Sequence, residues 1–84
     1  MMVTSTGIFE RLQRIFQEVL EKDSLRITLG TTPMQVPEWD SLAQIALMAA
    51  IEKEFAVHFS AREAGGLVSV GAIVALIETK TMRS

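Results

Sequence analysis

The sequence predicts an all-α protein, a small four-helix bundle of three longer helices and one short one. Three observations carry the prediction. Apolar residues recur at three- and four-residue spacings near the start of the chain. The run from Ser41 to Phe55 holds neither Gly nor Pro and is rich in the strong helix formers Ala, Leu, Met and Glu. Two later serines, Ser60 and Ser69, stand in cap positions ahead of further helical segments. With 84 residues there is room for one domain, spanning 1–84, and too little chain for most enzyme active sites. The inventory holds no Cys, no Tyr and one His, which excludes thiol catalysis, disulfide staples and a Cys/His metal cage, so no catalytic residue and no metal ligand is assigned. A net charge of −2 gives no basic face for a nucleic acid.

The first helix is expected at approximately 5–22, capped by Ser5 or Thr6. Ile8, Phe9, Leu12, Ile15, Phe16, Val19 and Leu20 form its apolar face, and Glu10, Arg11, Gln13, Arg14, Glu18, Glu21 and Lys22 a solvated one. From Asp23 to Trp39 no helical period survives, and Gly30, Pro33 and Pro37 punctuate a long loop. Leu25, Ile27 and Leu29 alternate within it; a lone strand has nothing to pair with, so a loop pinned by apolar side chains is expected. The second helix is expected at 41–55. The S-x-x-E pattern of Ser60 to Glu63 opens a short third helix, 60–65, closed by Gly65-Gly66. The fourth, 69–80, is capped by Ser69, with Ile73, Val74, Leu76 and Ile77 apolar and Lys80 and Arg83 suited to its C-terminal end. No secretory signal is read at Met1 to Thr6, and the apolar runs Leu42 to Ile51 and Leu67 to Ile77 are about half of the ~20 residues a membrane span needs. A soluble cytoplasmic monomer is expected.

The second helix carries two apolar faces. At about 100° per residue, Leu47, Met48, Ile51 and Phe55 share one side with Gln44, whereas Leu42, Ile45, Ala46 and Ala49 share the nearly opposite side. A surface helix cannot bury both. The second stripe, bordered by Glu38, Glu52 and Lys53, is either an interaction face or tucked beneath the long loop. Ser41 at the helix start reads first as a cap. It is not placed as a hydrolase nucleophile, because the G-x-S-x-G elbow is missing and His58 lies beyond the far end of a helix about 20 Å long. The open N–H groups and positive dipole end of a helix do favour an anion, so Ser41 can also carry a phosphodiester, as a tether.

Asp40-Ser41-Leu42 heading the second helix, followed by Ala50-Ile51-Glu52-Lys53-Glu54-Phe55, Phe59-Ser60 and Ser69-Val70, resembles the acyl carrier protein family over essentially the whole chain. The resemblance implies that a phosphopantetheinyl transferase attaches 4′-phosphopantetheine from coenzyme A to Ser41, and that the arm's thiol carries an acyl group as a thioester. It implies that Asp40 helps to position metal and coenzyme at the transferase, compatibly with a cap role. Leu42, Ile45 and Ala49 match the apolar part of the family's docking helix, with Glu38 and Glu52 beside them. The resemblance also implies shelter for an acyl chain between the second and fourth helices, with Leu47, Met48, Ile73 and Val74 as candidate linings that serve equally as plain core. Partners would be the transferase, an acyl-loading ligase or synthase and downstream acyltransferases of fatty-acid, polyketide or related biosynthesis.

Departures from the family pattern also matter. Ala43, Ala46, Lys53, His58 and Arg62 stand where fatty-acid carriers are often acidic, which favours a specialised carrier. Trp39 either anchors the loop or meets a partner, and Gly71 either allows close packing or makes room for a chain. An aminoacyl or aryl carrier of the same fold and an unmodified helical interaction module remain as alternatives.

Overall fold

The computed structural model describes residues 5–81, with backbone only for residues 5 and 6. The sequence forms α1 (Ser5–Val19), α2 (Ser41–Phe55), α3 (Ala61–Gly65) and α4 (Val70–Thr81), and no strand occurs among the described residues. The expected cap side chains of Ser5 and Thr6, the leader reading at Met1 to Thr6 and Arg83 lie outside what is described.

The first helix ends at Val19, not near 22. Lys22 N–H donates to Gln17 O (3.0 Å) and Glu21 N–H to Glu18 O (3.3 Å), with Glu21 left-handed at φ 54°. That pair of bonds is a Schellman closure, made with Glu where Gly is usual. The second helix has the expected bounds and ends on Ala56, also left-handed at φ 53°. The capping box opens α3: Glu63 N–H donates to Ser60 Oγ (3.1 Å) and Ser60 N–H to Glu63 Oε1 (2.9 Å). Ser69 accepts from Ala72 N–H at 3.1 Å and so opens α4, which runs to Thr81.

The core is one cluster. Ile8, Leu12, Ile15 and Phe16 of α1, Leu47, Ile51 and Phe55 of α2, and Val70, Ile73 and Ile77 of α4 are buried together, and α1 packs against both α2 and α4. The α3 helix buries none of its residues.

Side chains and helix ends hold the long loop without strand pairing. Gln13, expected in solvent, is half-buried and clamps the loop with both ends of its amide: Nε2 donates to Leu25 O, and Oε1 accepts from Ile27 N–H at 2.9 Å. Gln17 Nε2 also donates to Leu25 O (2.9 Å). Farther along, Leu29 O and Thr31 O accept from Gly71 N–H (2.8 Å) and Val70 N–H (3.0 Å), two amides that the start of α4 would otherwise leave open. Of the residues expected to pin the loop, Ile27 is buried and Leu25 half-buried, whereas Leu29 is exposed; Val36, not anticipated, and Trp39 are buried as well. Trp39 packs edge-on against Phe16, ring centroids 4.9 Å apart, and so fixes the loop's end on α1.

Candidate functional site

The loop delivers its last residues to the head of α2, and adjacent residues divide the work there. Asp40, in extended conformation, is the N-cap, its Oδ1 accepting from Ala43 N–H at 2.9 Å. Ser41 is therefore the first helical residue and not the cap that its position suggested. No hydrogen bond among the described residues engages its Oγ, and the side chain is exposed. Gln44 N–H donates to Asp40 O (2.8 Å), which leaves the amides of Ser41 and Leu42 at the open end of the helix.

An open groove of about 410 Å³ lies beside Ser41, lined by Pro33, Trp39, Asp40, Gln44, Ala64 and Val68 among others. Gln44 builds one wall. Its Oε1 accepts from Trp39 Nε1 (2.6 Å), and its Nε2 is 3.4 Å from both Ala64 O and Leu67 O, tying the loop end, α2, α3 and the approach to α4 through one amide. The sequence had placed Gln44 on the core face without a role; a lone amide among apolar residues, five positions after a Trp, was the available signal.

The opposite stripe of α2 stays uncovered. Leu42 is 78% and Ile45 68% exposed, Ala46 and Ala49 are exposed too, and none of them is tucked under the loop. Val68, 63% exposed, lines the groove beside Ser41 and was not anticipated. The expected acids beside the stripe are already engaged. Glu38 pairs with Lys22 (3.2 Å), and a hydrogen bond from its own backbone, followed by the Lys22 ammonium, holds its carboxyl below the ordinary carboxylate range. Glu52 Oε2 accepts from Phe59 N–H (2.7 Å) and stands 3.3 Å from His58 Nδ1.

The four residues nominated for an acyl pocket fall in two places. Leu47, Met48 and Ile73 are core side chains. Val74 is buried as well but lines an open apolar groove of about 550 Å³ with Phe9, Ile27, Leu29, Gly71 and Ala75, between α1, α4 and the loop instead of between α2 and α4. A β-carbon at Gly71 would come within 2.9 Å of Leu29 O, so this glycine permits close packing of loop on helix.

Residues 10–77 match the family described as the phosphopantetheine attachment site. The acyl carrier protein of Streptococcus thermophilus (strain CNRZ 1066) is 36% identical over 75 residues, which cover 89% of this chain and 97% of the relative. The chain belongs to the acyl carrier protein family. Similar family members include the acyl carrier proteins of Streptococcus pyogenes serotype M1, 35% identical over 89% of this chain and 97% of its own length, and Helicobacter acinonychis (strain Sheeba), 31% over 86% and 92%.

As an acyl carrier protein the chain bears a covalently attached 4′-phosphopantetheine and carries acyl groups on it. The head of α2 suits that group chemically: an exposed uncommitted hydroxyl, helix amides and a positive dipole end for a phosphodiester, and a groove next to the hydroxyl. Family membership also implies a phosphopantetheinyl transferase and biosynthetic enzymes as partners. No helix among the described residues is long and apolar enough to cross a membrane.

Proposed function

We propose that Ser41 is the attachment residue and that the chain, 1–84, acts as one non-enzymatic carrier unit. The observation that carries the reading is the separation of cap from handle: Asp40 closes the helix, so the Ser41 hydroxyl is free to react. In the loading step the Ser41 oxygen forms a bond to the phosphorus next to pantetheine in coenzyme A, and the pyrophosphate P–O bond breaks. The electron pair leaves with adenosine 3′,5′-bisphosphate, and the serine proton passes to a base of the transferase. The open amides of Ser41 and Leu42 then face the phosphodiester anion. Asp40 holds the first turn rigid with one carboxylate oxygen and offers the other toward the transferase and its metal. The bound arm supplies a thiol, which holds the acyl group as a thioester.

The Leu42, Ile45 and Ala49 stripe is the docking face for partner enzymes: the transferase, an acyl-loading ligase or synthase, and acyltransferases that take the cargo onward. The engaged acids around it support service in a specialised fatty-acid, polyketide or related route, as a cytoplasmic monomer.

Incubation with coenzyme A and a broad-specificity phosphopantetheinyl transferase, read by intact mass, tests the assignment. The wild type should gain one phosphopantetheine and Ser41→Ala none. Addition that survives Ser41→Ala would place the site elsewhere.

A further inference from the structure

We propose that the partner surfaces read by this carrier are apolar and poor in cations, so that docking is held by Leu42, Ile45, Ala46 and Ala49, with exposed Val68 in the groove beside Ser41, and not by the carrier's acids. The inference rests on the reading of Ser41 as the attachment point and adds the chemistry of what docks there.

Charge bordering the face carries the argument. From Ser41 to Ile51 the helix holds no ionisable residue. The acids that follow or flank it are engaged, at the surface, by partners of this same chain. Glu38 is paired with Lys22 at 3.2 Å, Glu54 with Arg11 at 3.5 Å, and Glu63 with Lys80 at 3.1 Å while it also caps α3. Glu52 accepts from Phe59 N–H and lies beside His58. Of the acids bordering the face, exposed Asp40, next to Ser41 itself, spends one oxygen on Ala43 N–H and meets no cation among the described residues.

The cations differ. Lys53 and Arg62 are exposed, and no acid among the described residues pairs with either. A partner lined with Lys and Arg would thus meet an apolar surface whose uncommitted border charges include two of its own sign. Asp40 apart, it would compete with an internal partner for each acid it recruited. An apolar depression gains instead from Leu42 and Ile45, which stand well clear of the helix with no covering of their own. A lipid surface is a poorer fit, because α2 carries Lys53 as its one cation, whereas helices that lie on membranes place several Lys or Arg beside the apolar face.

The test measures KM for the carrier in the transferase reaction as NaCl rises from about 50 to about 500 mM, a range over which exposed ion pairs are screened away. KM should stay level or fall, since salt does not weaken apolar contact. The variant Leu42→Ser/Ile45→Ser should raise KM about tenfold while kcat changes little, and Glu54→Gln should change KM less than about twofold. Unchanged far-UV circular dichroism would show that these exposed substitutions leave the fold intact.

A KM that climbs steeply with salt, together with a silent double serine variant, overturns the proposal while the mass gain at Ser41 still stands. Co-sedimentation of the wild type with phosphatidylcholine/phosphatidylglycerol vesicles, or a dimer in sedimentation velocity, lost in either case with Leu42→Ser/Ile45→Ser, overturns it by giving the face to a lipid surface or a second copy. A wild type that gains no mass overturns the attachment reading, and this one with it.

Discussion

A β-carbon built on Gly71 would stand 2.9 Å from the Leu29 carbonyl oxygen, which itself accepts the Gly71 N–H at 2.8 Å. Helix propensity alone would have Gly→Ala gain about 1 kcal/mol, whereas overpacking against backbone typically costs about 1–3 kcal/mol. Gly71→Ala should therefore lower stability by about 1 kcal/mol in urea unfolding, the reverse of the usual helix result. Ala56 is the opposite case. Its left-handed φ of 53° suits glycine, so Ala56→Gly should stabilise by up to about 1 kcal/mol in the same measurement. At Asp40 the cap and the charge can be separated. Asp40→Ala should cost about 1 kcal/mol of stability, whereas Asp40→Asn should keep the cap and slow only phosphopantetheine transfer.

At the scale of elements, α3 depends on its ends because none of its residues is fully buried and Ala64 is its one apolar side chain packed against the core. The Ser60 backbone N–H and then the Lys80 ammonium hold the Glu63 carboxyl below its reference value of 4.5. A carboxyl depressed on folding contributes stability that is present above its unfolded value and lost as pH falls through the folded one. Amide NMR shifts of Ala61 to Gly65 should therefore stay constant above about pH 5 and move toward coil values below it, and Glu63→Gln should flatten that change. The capping box was legible in advance because both partners lie within one turn. So was α2, whose bounds follow from composition and from the Asp40-Ser41 pair. The identity of the cap within that pair was not, since either residue has the oxygen to accept. The Gln13 clamp and the Lys22 to Glu38 pair were equally hidden: 14 and 16 positions separate their partners, and no local period reports contacts set by how the loop folds back on α1. The end of α1 was overrun because Glu21 gives no local sign of adopting a glycine-like conformation.

Over the whole molecule, one cluster joins three helices and the loop, so the parts should not melt separately. Trp39, the one tryptophan, is 3% exposed at the junction of loop, α1 and α2. Its fluorescence and far-UV circular dichroism should trace coincident unfolding curves, as for a single cooperative unit. A further consequence comes from the division between Asp40 and Ser41. The fold draws its stabilising bond from Asp40 and none from the Ser41 hydroxyl, so attachment at Ser41, as proposed, removes no native contact. Loading then costs the fold nothing, and because the amides and dipole that favour the new anion exist only in the folded helix, the armed form should be at least as stable as the bare one.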